Sequence, residues 1–221
     1  MSQNVIDDTQ IDFIYVHIPK CAGTYIKYKF KQMYDCMITN VEHYKEHLQN
    51  GNRRTMNFGH RRYTNEPNLV PKLICFVRHP YSRALSMFYY HKLNKKNQTF
   101  DQFIQSLYKD KNVRKFVEST DQNTHKTTLL STPRGTDVSM SWKLQTTWLP
   151  DDSASQIYFL GKVEELEKDL KCLCEKIGCK YNPDQKVINK TSYVKNEISQ
   201  STKDMLYDIY ENDFIAFGYD R

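Results

Sequence analysis

The amino-acid sequence predicts an α/β fold, a parallel β-sheet flanked by helices, because the chain twice repeats a strand, a short loop and a helix. The first repeat starts with the apolar, β-branched run 13–18 and passes Pro19 and Gly23. The second starts with the buried-strand run 73–77 and passes Pro80 into a helix over 82–91. Parallel strands need such crossover helices, so the repeats indicate a parallel sheet.

The first helix is predicted from Thr24 onward, with Thr24 near its cap. Apolar side chains follow it at three- and four-residue intervals, as on one face of a helix: Tyr25, Ile26, Phe30, Met33 and Tyr34.

Further along the chain, a third strand is predicted at 156–160 and a helix at 163–177 that Gly178 stops. Residues 100–117 are predicted to be helical, 118–141 to form a polar loop or lid, and 201–214 to form the last helix. The sequence has no internal repeat and no interdomain linker. We therefore expect a single domain over 1–221, with 1–11 as a flexible tail.

The composition is that of a globular protein, with 39% hydrophobic and 13% aromatic residues in 221. The net charge of +6 lies partly in two basic clusters, Arg53-Arg54 with Arg61-Arg62, and Lys92 with Lys95-Lys96. Such clusters are either solvated faces or sites for an anionic ligand. No nucleic-acid-binding motif accompanies them, so no nucleic-acid partner is expected. The oligomeric state cannot be read from the sequence.

The sequence offers no membrane anchor, since no apolar run approaches the ~18 residues that a membrane span needs. The N-terminus also lacks the layout of a signal peptide, which predicts a cytoplasmic protein without membrane insertion. The six cysteines have no C-x-x-C spacing. This predicts reduced, mostly buried cysteines rather than a disulfide framework or a metal site.

The first strand-to-helix loop, residues 17–24, reads HIPKCAGT and has the parts of an anion site. These parts are small residues, a lysine, a hydroxyl and a helix N-terminus. The loop is not a Walker motif, because no two glycines of the chain stand five positions apart before a lysine. An ordinary turn with a surface lysine remains the alternative.

The second repeat carries Arg78 at its strand end and Ser86 eight residues later. Arg78 offers a bidentate fork and Ser86 a hydroxyl, so the two side chains suit one phosphate group. A structural ion pair is the alternative for Arg78. Because open α/β sheets bind ligands at the carboxyl ends of their strands, the two loops together predict a pair of anion sites.

Residues 17–24 and the stretch 76–86, FVRHPYSRALS, together resemble the carbohydrate sulfotransferases that use 3′-phosphoadenosine 5′-phosphosulfate (PAPS). The segments 161–166 and 213–219 extend the resemblance over most of the chain. It implies a P-loop-like sulfotransferase fold and a reaction without a metal cofactor. It also implies two substrates: a nucleotide donor, and an acceptor that carries a hydroxyl group and is a glycan. Relatives of this kind are commonly Golgi proteins, so the Golgi lumen is the alternative location if the sequence is part of a longer chain.

The resemblance also assigns residues to the donor. The first loop would hold the 5′-phosphosulfate and the second the 3′-phosphate. The residues assigned in this way are Lys20, Cys21, Ala22, Gly23, Thr24 and Tyr25 in the first, and Arg78 and Ser86 in the second. Cys21 stands where a Thr or Ser is common, which leaves a backbone role there.

Sulfuryl transfer needs in-line geometry and charge stabilisation, with Lys20 neutralising the leaving oxygen and a general base for the acceptor hydroxyl. His60 is the first candidate base, because Gly59-His60 resembles the segment from which glycosaminoglycan 2-O-sulfotransferases draw theirs. His17 is the second, and Glu42 and Glu46 are weaker candidates.

Other functions fit parts of the sequence less well. A kinase-like, nucleotide-dependent phosphotransferase would need a γ-phosphate cradle, and a non-catalytic polyanion- or nucleotide-binding module would keep the fold without transfer. Residues 43–47 formally match a zinc-peptidase pattern, and Cys172, Cys174 and Cys179 a metal site. Two tryptophans with an intervening glutamine, Trp142, Gln145 and Trp148, either line a cleft or belong to the core.

Overall fold

A computed structural model of the chain describes residues 13–32, 38–39, 72–120, 129–133, 135, 138–150, 157–183 and 198–221. The chain divides into two compact units, with breaks after Val77, Thr147 and Asn189. The first unit contains the β-sheet, and the second is built from helices.

The described residues form four strands and six α-helices. The strands are β1 (Phe13–Val16), β2 (Ile38–Thr39), β3 (Lys72–Val77) and β4 (Ile157–Lys162). The helices are α1 (Gly23–Gln32), α2 (Pro80–Tyr90), α3 (Phe100–Lys109), α4 (Lys111–Glu118), α5 (Leu166–Ile177) and α6 (Gln200–Phe217). Short 3₁₀ helices lie at Leu93–Lys96, Ser139–Trp142, Thr146–Trp148 and Val163–Glu165.

The sheet of the first unit is parallel, with strand order β2-β1-β3-β4. Val16 at the end of β1 pairs with Cys75, and Val77 at the end of β3 pairs with Lys162. The carboxyl ends of β1, β3 and β4 therefore lie at one edge of the sheet. This arrangement confirms the predicted α/β fold with a parallel sheet flanked by helices.

Helices α1 and α5 pack on one face of this sheet. Their shared core consists of Ile26 and Phe30 from α1, Leu170, Leu173 and Cys174 from α5, and Tyr15, Ile74 and Phe76 from the strands. All are at most 1% exposed. Gly178 ends α5 with φ of 74°, and the N–H of Cys179 donates to the Cys174 carbonyl at 2.8 Å. The predicted stop at Gly178 is thereby confirmed, because a left-handed residue ends a helix in this way.

The second unit buries one face each of α2, α3 and α6 in a common core that includes Phe88, Phe103 and Phe214. A capping box starts α3, where Thr99 and Gln102 exchange side-chain to backbone hydrogen bonds. Polar contacts also join the helices: Thr202 donates to Asp101 at 2.5 Å, and Arg114 lies 3.3 Å from Asp208. The unit is thus a helical layer with its own core.

The helix predicted over 100–117 is two helices, because Asp110 between them has extended backbone angles and its carboxylate accepts from the N–H of Asn112. Trp142, Gln145 and Trp148 are 0–1% exposed, so they belong to the core and do not line a cleft. The prediction that the cysteines are reduced is wrong for Cys179, which is disulfide-bonded. Cys21, Cys75, Cys172 and Cys174 are free thiols, and Cys36 lies outside the described residues.

Candidate active site

The loop from β1 to α1 has an unusual backbone. Lys20 has φ of 65° and Ala22 has φ of 56°, both in the left-handed region, whereas Cys21 between them does not. A residue with a Cβ reaches this region at a cost of about 1–3 kcal/mol, which the surrounding structure must offset. Alternation of left-handed and ordinary residues is the backbone pattern of an anion-binding nest. Within this loop the N–H of Cys21 donates to the Ile18 carbonyl, at 3.3 Å.

The same loop leads directly into the N-terminus of α1. The N–H groups of Tyr25 and Ile26 both donate to the Ala22 carbonyl, at 2.9 and 3.0 Å. Gly23 and Thr24 open the helix, and the first N–H groups of a helix have no carbonyl of an earlier turn to bond. The first turn of α1 contains no acidic residue. The positive end of the helix dipole is therefore available to an anion.

His17 lies against Gly23 at this helix start. Its ring stacks on Tyr15, with 5.7 Å between centroids and 23° between planes. A methyl group built on Gly23 would stand 1.6 Å from Nε2 of His17. Because φ of Gly23 is not in the left-handed region, the position needs glycine for space and not for backbone freedom. The half-buried ring of His17 thus packs against the loop, beside the first residue of α1.

The other predicted residues of this loop differ in exposure. Lys20 is half-buried and Thr24 is exposed, while Cys21 is fully buried with its Sγ 3.7 Å from the Pro19 carbonyl. Burial, followed by the nearby Cys21, raises the pKa of the Cys75 thiol to about 12. Cys75 is therefore a neutral thiol at the pH of cells.

A cluster of polar side chains fixes α1 to α5. The carboxylate of Glu167 accepts hydrogen bonds from the hydroxyls of Tyr25 and Tyr181. Lys29, only 1% exposed, donates to the Asn182 carbonyl at 2.7 Å and lies 5.4 Å from the centres of both tyrosine rings. Burial, and then the bond to Glu167, raise the pKa of Tyr181. Through its bond to Glu167, the side chain of Tyr25 anchors the helix that follows the loop. The main-chain N–H of Tyr25 donates to the Ala22 carbonyl.

In the second unit, Arg78 follows directly on β3, and its main chain is held by Gln145. The Arg78 N–H donates to Oε1 of Gln145 at 2.8 Å, and Nε2 of Gln145 donates to the Arg78 carbonyl at 2.8 Å. Asp213 in turn accepts from the N–H and from Nε2 of Gln145, and from the N–H of Thr146. Burial raises the pKa of Asp213, against the opposing effects of Arg83 and these hydrogen bonds.

Helix α2 starts at Pro80, two residues after Arg78, and carries Ser86. His79 caps it, because Nδ1 accepts from the N–H of Tyr81 at 3.3 Å while the ring packs against Tyr81, Phe214 and Tyr219. Ser86 lies on the buried face of α2 and is 3% exposed. The second unit thus provides an arginine at a strand end and a hydroxyl on the following helix.

Comparison with known proteins decides what these two loops belong to. The model of the sulfotransferase family matches residues 3–220, which is nearly the whole chain. The chain belongs to the sulfotransferase family. Searches of curated proteins and of solved structures give no match. The predicted family resemblance is confirmed, and with it the general activity, transfer of a sulfuryl group.

Some predicted residues of this sulfotransferase lie outside the described residues. They are His60, Glu42 and Glu46, the candidate base and its weaker competitors, and the whole zinc-peptidase pattern at 43–47. Among the residues that are described, no group of three or more His, Cys, Asp or Glu side chains is placed to hold a metal ion. Within the same residues, no helix combines the length and the apolar character that crossing a bilayer requires.

Sequence reasoning missed the residues that hold the sulfotransferase loops in place. Glu167 and Lys29 fix α1, and Gln145 and Asp213 hold Arg78. Arg83 is a further case: it is 1% exposed and donates to the carbonyls of Lys143 and Ser141, each at 2.9 Å. The sequence does not separate these residues from polar side chains at the surface: Glu167, for example, stands in the charged stretch 164–169, EELEKD.

Proposed function

We propose that this sulfotransferase transfers a sulfuryl group from PAPS to a hydroxyl group of a carbohydrate. The observation that carries the proposal is the backbone of the first loop, in which two left-handed residues with side chains, Lys20 and Ala22, precede the N-terminus of α1. A phosphosulfate is an anion with several acceptor oxygens, and such a backbone offers it N–H groups without side-chain crowding. The strain in the loop is then part of donor binding.

Each loop takes one end of the donor in this proposal. The loop 20–25 holds the 5′-phosphosulfate through Lys20 and the main chain of 22–24, and Arg78 and Ser86 hold the 3′-phosphate. The N–H groups of Cys21 and Tyr25 donate to the carbonyls of Ile18 and Ala22, so these two residues shape the loop. Lys20 faces the oxygen that bridges phosphorus and sulfur. The acceptor oxygen attacks sulfur as the bond from sulfur to this oxygen breaks, and Lys20 neutralises the charge that develops on the departing nucleotide.

The acceptor proton passes to a general base, for which we propose His60. His17 is the second candidate, because its ring lies against Gly23 at the start of α1. The two are separated by single-turnover transfer at saturating donor. Loss of transfer in His60→Ala, with donor affinity unchanged, supports His60. Loss confined to His17→Ala, again with donor affinity unchanged, assigns the base to His17, whereas a loss of donor affinity shows only that its ring supports the loop. A base typically contributes roughly 10²–10⁴-fold to the rate.

For location, the disulfide at Cys179 supports the Golgi lumen over the cytoplasm. Disulfides form and persist in oxidising compartments and are rare in the cytosol. Fractionation of cells that express the full gene product, with thiol labelling before and after reduction, tests this. A fully reduced Cys179 in the native protein would favour the cytoplasm.

The donor is tested by thermal unfolding with adenosine 3′,5′-bisphosphate (3′,5′-ADP), the product left by PAPS. A ligand that binds only the folded state adds about 2.7 kcal/mol of stability at a hundred times its Kd. We expect 3′,5′-ADP to raise Tm with EDTA present, and 5′-AMP to do so far less. Stabilisation by ATP with Mg²⁺ alone would indicate a phosphotransferase and contradict the proposal.

The acceptor class is tested by a screen with labelled PAPS over glycans, glycolipids and small alcohols. Transfer to a glycan hydroxyl is the expected result. Transfer to small alcohols alone would contradict the carbohydrate assignment while leaving the donor assignment intact. Donor binding without transfer to any acceptor would indicate a binding module of the same fold.

A further inference from the structure

The amide of Gln145 holds both polar groups of one main-chain residue, Arg78. Its Oε1 accepts from the N–H and its Nε2 donates to the carbonyl, both at 2.8 Å. Arg78 is the first residue after β3, so it lies beyond the regular hydrogen bonding of that strand. A two-point bond of this kind fixes the direction in which the Arg78 side chain leaves the main chain.

Asp213 determines which way round this amide stands. Oδ2 of Asp213 lies 3.3 Å from Nε2 of Gln145 and 2.9 Å from its backbone N. A carboxylate and a carbonyl only accept, so Nε2 must face Asp213 and the Arg78 carbonyl. A reversed amide would set its oxygen against both acceptors and its NH₂ against the Arg78 N–H. The observed orientation is therefore the one that satisfies every partner.

The hydrogen-bond network is buried, so water cannot replace a lost partner. Gln145 and Asp213 are each 0% exposed. The second oxygen of Asp213 accepts from the N–H of Thr146 at 3.0 Å, so the carboxylate is bonded through both oxygens. A buried polar group that loses its partner costs about 1–3 kcal/mol. Removal of either side chain should therefore shift the main chain of Arg78, because solvent does not reach these buried side chains to take over the lost hydrogen bonds.

We infer that Gln145 and Asp213 are positioning residues for Arg78, and that through it they set the preference for a donor with a 3′-phosphate. The inference rests on the proposed function, in which Arg78 binds that phosphate. A fork that binds a phosphate with two hydrogen bonds depends on its direction as well as its charge. If the Arg78 side chain points in another direction, the affinity for the 3′-phosphate should fall, while the binding of the rest of the nucleotide should not change.

The test uses Gln145→Met, which keeps the volume and removes both hydrogen bonds to Arg78. We expect the affinity for 3′,5′-ADP to fall about tenfold, the equivalent of one good hydrogen bond, and the affinity for 5′-AMP to change less than about twofold. The KM for PAPS should rise by a similar factor, with kcat at saturating PAPS unchanged. Asp213→Asn, which keeps the shape but frees the amide to reverse, should show the same pattern more weakly.

Thr202→Val is the matched control. Thr202 is 1% exposed, lies in the same unit and donates to Asp101, without a hydrogen bond to Arg78 or Gln145. It should lower the free energy of unfolding without changing the ratio of the two nucleotide affinities. Asp213→Asn provides the measurement if Gln145→Met does not fold.

The inference is overturned if the ratio of the two affinities is unchanged in both variants, whether because neither affinity falls or because both fall equally. The proposed function fails in a different way, because the unaltered protein would then show no preference for 3′,5′-ADP over 5′-AMP. If Arg78→Ala abolishes that preference while Gln145→Met and Asp213→Asn retain it, only the positioning role is lost.

Discussion

The two loops that we propose for the donor keep their shapes by different means. The loop 17–24 is held within itself, by left-handed backbone at Lys20 and Ala22 and by the His17 ring on Gly23. The segment 78–86 has no residue with positive φ. It is held from outside, by Gln145 and by the aromatic packing around His79. The first loop should therefore be sensitive to small changes of volume in its own residues, and the second to changes at residues distant in sequence.

The largest effect that separates the loops is expected for Lys20→Ala. The substitution keeps a Cβ at the left-handed position, so the backbone is preserved while the charge at the leaving oxygen is lost. Removal of one such preorganised group typically costs about 10²–10³-fold in kcat. Single-turnover transfer from labelled PAPS measures it. Lys171→Ala, an exposed lysine of α5 in the same unit, is the control and should retain full activity. Undiminished transfer by Lys20→Ala would remove Lys20 from the mechanism.

Arg78→Ala tests the second loop and should act on binding. A charge-assisted bond to phosphate contributes about 1.5–3 kcal/mol, so the affinity for 3′,5′-ADP should fall roughly 10–100-fold. The affinity for 5′-AMP should stay nearly constant, as titration calorimetry can show. Arg114→Ala removes an equal charge from the same unit and should leave both affinities unchanged. Equal losses for the two nucleotides in Arg78→Ala would contradict the 3′-phosphate assignment.

The sequence predicted the fold more fully than the means by which the site is held. The apolar runs 13–18 and 73–77 and the stop at Gly178 predicted the strands and one helix end to within a few residues. Strand β2 has only two residues, too few to show a period. The break at Asp110 was missed because the apolar residues on both sides of it continue a helical pattern.

The site residues divide in the same way. Lys20, Arg78 and Ser86 were found because they stand in contiguous motifs. Gln145 and Asp213 were not, because they are 68 positions apart and each could face solvent as far as the sequence alone shows. The backbone of the loop was not predictable either. The glycine of the motif is the residue expected to take an unusual φ, yet Ala22 and Lys20 do so.

Gly23→Ala tests the internal support of the first loop. The new methyl group would overlap the His17 ring, and overpacking of this kind costs roughly 1–3 kcal/mol of unfolding free energy. The double variant His17→Ala with Gly23→Ala removes the collision. Urea unfolding of the four proteins in this cycle should therefore show that Gly23→Ala is much less harmful when residue 17 is alanine. An equal cost in both backgrounds would mean that His17 is not what requires glycine here.

The smallest effect is expected one residue earlier, for Ala22→Gly. Ala22 has φ of 56°, so glycine would relieve about 1 kcal/mol of strain in the folded state. Glycine also gives the unfolded chain more freedom, which costs about 0.4–1 kcal/mol, and the two effects nearly cancel. Ala84→Gly is the matched control, because Ala84 is helical and buried and the same change there should cost at least 0.5–1 kcal/mol, roughly the helix penalty alone. Chemical unfolding compares the two variants. A loss for Ala22→Gly as large as that for Ala84→Gly would show that the left-handed backbone stores no strain.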